Sequence, residues 1–127
     1  YAEGYSGGGE TMSLVMGMRP DLYTAYLQCS SQWDGAYEPV VQAKTPVYFV
    51  VGAHDEYYGS EPSEGAYNNL RELYQKEGLS DEEIDDLLVL DVKDDSYFSD
   101  QGVTNQHGQG GGLFVEDDAV MGWLFGK

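Results

Sequence analysis

The chain has 127 residues and sets 6 Lys and Arg against 23 Asp and Glu, a formal net charge of -17. That balance repels phosphate backbones and anionic lipid surfaces, so nucleic acid and membrane surfaces are disfavoured as partners. A lone cysteine, Cys29, cannot form an internal disulfide, and no run of about 18 apolar residues is present to cross a bilayer.

In chain order, the first feature is Gly4-Tyr5-Ser6-Gly7-Gly8. The Gly-x-Ser-x-Gly spacing predicts a sharp strand-to-helix turn that projects Ser6 alone, with Gly4 and Gly8 as the small residues two positions to either side. A phosphate-cradling loop is excluded because the Gly-Lys-Ser/Thr ending is absent. Thr11 to Met18 carries Met12, Leu14, Val15, Met16 and Met18, as expected of a buried helix that Arg19-Pro20 ends. Ala25 to Ser30 reads as a short apolar strand containing Cys29, followed by a turn over Gln32-Trp33-Asp34-Gly35 and a loop to Thr45.

Pro46 to Gly52 is the clearest strand, a continuous β-branched and aromatic run suited to a parallel sheet covered on both faces. Ser63 to Lys76 places Ala66, Leu70, Leu73 and Tyr74 at helical spacing and stops at Gly78. Ser80-Asp81-Glu82-Glu83 has the capping-box spacing of a second short helix, so the acidic stretches suit solvated helix starts better than a cation site. Leu87 to Val92 predicts another strand, Asp94 to Gly112 a long Gly-rich loop containing His107, and Asp117 to Phe125 a closing amphipathic helix. Strands alternating with helices argue for an α/β fold with a mostly parallel sheet flanked by helices.

A serine hydroxyl needs an adjacent base to attack at neutral pH, and the resulting oxyanion needs preorganised donors. A hydrolase built on a strand-turn-helix serine presents nucleophile, acid and histidine in that chain order, each just beyond a strand. Here Asp55 follows the clearest strand and His107 follows the last. Ser6 is therefore the expected nucleophile, His107 the base, Asp55 the acid, and the Gly7 N–H an oxyanion donor. Glu56 rivals Asp55 as the acid, His54 reads as a surface or substrate-side residue, and Glu10 as a favourable charge in the first helical turn. Trp33, Tyr57 and Tyr58 follow strands and are candidate substrate-binding aromatics, with ordinary loop packing as the competing reading.

With Gly4-Tyr5-Ser6-Gly7-Gly8-Gly9-Glu10, Val51-Gly52-Ala53-His54-Asp55 and Asn105-Gln106-His107-Gly108 in place, the chain resembles bacterial α/β-hydrolases of the esterase, polyhydroxybutyrate-depolymerase-like and prolyl-oligopeptidase-like group. The resemblance covers residues 1–127 and implies the C-terminal catalytic portion of one hydrolase domain, with early strands and the second oxyanion donor supplied by the same protein or by a separate chain. It further implies a two-step acyl-enzyme mechanism on a carboxylic ester, without metal or organic cofactor. A peptidase on the same scaffold and a noncatalytic acidic binding module are the alternatives. No signal peptide is visible, a feature that a chain beginning mid-domain would have lost, so localisation is unread.

Overall fold

Residues Tyr1–Lys127 are described in a computed structural model. Four strands, β1 (Ala2–Tyr5), β2 (Tyr26–Cys29), β3 (Val47–Gly52) and β4 (Leu88–Lys93), form one parallel sheet in the order β1-β2-β3-β4. The chain enters α1 (Gly7–Met16) directly from β1, then passes through a 3-10 turn at Pro20–Leu22 to β2. After β2 come α2 (Glu38–Ala43) and β3, then α3 (Glu61–Lys76), α4 (Asp81–Leu87) and β4. The chain closes with α5 (Asp95–Ser99), α6 (Gln106–Glu116) and α7 (Asp118–Phe125).

The period-2 alternation of β2 and β3 sorts their side chains onto two helix layers. Tyr26, Val47 and Phe49 pack with Met16, Val40, Leu70, Tyr74 and Ile84 from α1 to α4. Leu27, Cys29, Tyr48 and Val50 pack with Phe98, Phe114, Val120 and Leu124 from α5 to α7. Both faces of β3 are covered, which is why its sequence is apolar without interruption. β4 is less buried, and the outer edge of β1 pairs with no strand.

Ser80 and Glu83 form the expected reciprocal capping box at the start of α4, and Asp117 caps α7 through the Ala119 and Val120 N–H groups. Two expected loops are helical instead. Between Gly35 and Thr45, α2 forms because Pro39 sits in its first turn and Val40 and Val41 bury against the sheet. Within 94–112, Asp94 caps α5 through the Tyr97 N–H and Asn105 caps α6 through the Gly108 N–H, so His107 lies in a helical first turn. Glycine is required in α6 by close packing: a Cβ on Gly111 would stand 2.7 Å from the Tyr5 ring.

Candidate active site

β1 delivers the chain to Ser6 with its N–H bonded to the Cys29 carbonyl, 3.1 Å away on β2. Ser6 then takes φ 54 and ψ -123, a strained conformation for a residue with a side chain. Its carbonyl is held by the Gly9 N–H at 2.9 Å and by the Ser31 hydroxyl at 2.5 Å. The turn needs small residues at Gly4, where a Cβ would lie 2.8 Å from both Gly9 and the Tyr26 hydroxyl, and at Gly9, where it would lie 2.6 Å from Ser31. Gly8 meets nothing within 4 Å, so the second close approach falls one residue later than the spacing suggests. Gly7 opens α1, and its N–H has no intrahelical acceptor.

Three side chains from three parts of the chain meet in one hydrogen-bonded series. Ser6 Oγ lies 3.0 Å from His107 Nε2, and His107 Nδ1 lies 2.9 Å from Asp55 Oδ2. With Nδ1 facing a carboxylate, the proton belongs on Nδ1 and Nε2 accepts from the serine hydroxyl. The Asp55 side chain is fully buried, and its other oxygen accepts the N–H groups of Tyr57 at 3.0 Å and Tyr58 at 2.8 Å. That turn at the end of β3 therefore fixes the carboxylate through its own backbone. A serine so placed can surrender its proton to the imidazole during attack, while the carboxylate orients the ring and stabilises its charged form.

The adjacent carboxylates separate cleanly. Glu56 does not reach the imidazole and instead accepts the N–H groups of His107 at 2.9 Å and Gln106 at 3.1 Å. His54 pairs its Nδ1 with Asp95 Oδ1 at 2.7 Å on the surface, and that hydrogen bond raises the His54 pKa while lowering that of Asp95. Glu10 lies in the first turn of α1 as expected and also accepts the Tyr58 hydroxyl. Burial, followed by this hydrogen bond, pushes the Tyr58 phenol up to about 12. Burial also pushes the Cys29 thiol well above its usual range, leaving it inert as a nucleophile.

Aromatic rings surround the imidazole. Tyr57 stacks on it at a centroid distance of 5.3 Å, and Tyr58 meets it edge-on at 5.5 Å. Tyr57 is 74% exposed and so presents apolar surface beside His107. Tyr5, which the sequence did not single out, stacks on His107 at 5.7 Å and donates its hydroxyl to the His107 carbonyl. The only hint of it was an aromatic residue immediately before the serine. Trp33 has a different environment: its ring packs on Tyr26, Tyr37 and Phe49 in the α1 to α4 layer, so core packing accounts for it.

No protein-family model and no curated protein matches the chain. Among solved structures, the fold is similar to that of a thermostable esterase, with a TM-score of 0.71 and 19% identity over 97% of this chain. The chain spans 29% of that esterase's length. The likeness shows an esterase-like α/β fold, four parallel strands flanked by helices.

Proposed function

We propose that this chain carries the catalytic centre of a serine hydrolase that cleaves carboxylic esters through an acyl-enzyme. The observation that carries the reading is the continuous series Ser6, His107, Asp55, with links of 3.0 Å and 2.9 Å. Ser6 attacks the ester carbonyl, and its proton passes to His107 Nε2 and then to the departing alcohol. Asp55 holds the ring, and the Gly7 N–H faces the oxyanion, aided by the positive end of α1. Water then enters by the same base and releases the acid. Tyr57 and Tyr58 supply aromatic surface for the acyl or sugar part of the substrate.

The chain acts in this proposal as the C-terminal portion of one α/β-hydrolase domain. The unpaired outer edge of β1 and the coverage of 29% of the esterase support that arrangement, in which further strands and the second oxyanion donor come from upstream sequence or a separate chain. Turnover of p-nitrophenyl esters against matched anilides tests the reaction class. The proposal predicts ester cleavage that Ser6→Ala abolishes, and faster cleavage of the amide would reassign the centre to a peptidase. Residual ester cleavage at the wild-type rate in Ser6→Ala would remove the reading.

A further inference from the structure

The first turn of an α-helix leaves N–H groups without intrahelical acceptors, and in α6 each of them is accounted for. The Asn105 side chain takes the Gly108 N–H at 2.8 Å, and the Gln109 side chain takes the Asn105 N–H at 3.4 Å. The remaining two, from Gln106 and His107, go to the two oxygens of one carboxylate, Glu56, which belongs to the turn after β3. A negative group at that position also complements the helix dipole. Successive residues of one turn thus grip His107 differently, Asp55 through the imidazole and Glu56 through the backbone. On the other side the Tyr5 hydroxyl holds the His107 carbonyl.

We infer that Glu56 is a positioning residue, a carboxylate clamp that ties the histidine helix to the acid-bearing turn and thereby sets the distance from His107 Nε2 to Ser6. The inference rests on the serine-hydrolase reading. Glu56 is exposed, while the core layers that hold α6 are formed by Phe98, Phe114 and Val120. Loss of the clamp therefore releases the histidine backbone without opening the core. A small displacement of a reacting group lowers the chemical rate far more than it lowers ground-state binding.

The test compares Glu56→Ala and Glu56→Gln with the wild type in the complete domain, upstream portion included, using p-nitrophenyl ester kinetics, amide hydrogen exchange, and the NMR signal of the proton on His107 Nδ1. Glu56→Ala is expected to lower kcat by about 10²-fold while KM stays within about two-fold. It is also expected to accelerate exchange at Gln106 and His107 and to weaken the Nδ1 proton signal. Glu56→Gln, which keeps one acceptor oxygen, recovers most of the rate. Unchanged kcat, exchange and Nδ1 signal in Glu56→Ala overturn the clamp. An inactive wild-type domain, its upstream portion included, defeats the hydrolase reading instead, and exchange and the ring proton then decide the clamp alone. Should Glu56→Ala not fold, Glu56→Gln carries the readouts: faster exchange at either amide supports the clamp, and wild-type exchange at both overturns it.

Discussion

Gly7 to Gly9 and Gly108 to Gly112 are both glycine-rich; the first opens α1 and the second lies within α6, each helix beginning beside the Ser6–His107 contact. In the first, glycine lets α1 approach β1 and Ser31, and the strain is concentrated on Ser6 with its positive φ. In the second, no residue of the first turn is strained; Asn105 and Glu56 satisfy the N–H groups, and glycine serves packing deeper in the helix, where Gly111 lies under the Tyr5 ring. One segment uses glycine to build a turn and the other to bring a helix close. Tyr5 ends β1 immediately before Ser6 and packs on the second segment and on His107, so placement of serine and histidine is coupled through one aromatic ring.

The largest effects separate chemistry from this scaffolding. Ser6→Ala and Asp55→Asn are expected to lower kcat on an ester by on the order of 10⁴-fold or more with an unchanged thermal midpoint. A midpoint shift as large as a core substitution would show that these residues hold the fold. The next comparison pairs glycines within each segment. Gly111→Ala, whose Cβ meets Tyr5 at 2.7 Å, is expected to destabilise by about 1–3 kcal/mol and to slow turnover. Gly112→Ala enters open space in the same helix and is expected to stabilise by up to about 1 kcal/mol. Gly9→Ala and Gly8→Ala should divide in the same direction, since only the first meets Ser31. Equal effects within either pair would dissolve the distinction.

The smallest effect lies at the rim, in the exposed His54–Asp95 pair. Raising the folded pKa of His54 above 6.5 gives stability that is present below 6.5 and lost as pH rises through the folded value. Lowering that of Asp95 below 3.8 gives stability that is present above 3.8 and lost as pH falls through its folded value. The wild-type advantage over His54→Gln in urea midpoint is therefore expected to be greatest between 3.8 and 6.5 and to shrink above that window. A difference that grows above it would contradict the ion pair.

Much of this architecture is visible in the residues. The unbroken apolar run at Val47 to Gly52 and the Ser80 to Glu83 box each rest on local chemistry that neighbouring sequence states directly, and the order of Ser6, Asp55 and His107 is read from their places after strands. The α6 helix does not, because glycine is a poor helix former and the reason for it, the Tyr5 ring, arrives from residue 5. Asp55 and Glu56 could not be told apart for the same reason. They are adjacent carboxylates, and only the path of α6 assigns one to the imidazole and the other to two backbone N–H groups. Trp33 shows the converse, since its position after a strand suggested a ligand surface while its ring fills the core layer.

Mass spectrometry of a fluorophosphonate adduct tests the central proposal most directly, because the probe captures a serine activated by its neighbours. A single adduct on the peptide carrying Ser6, formed at least about 10²-fold more slowly in His107→Gln, is the predicted result. With the upstream portion of the domain present, an unmodified Ser6, or one labelled equally fast without His107, would contradict it.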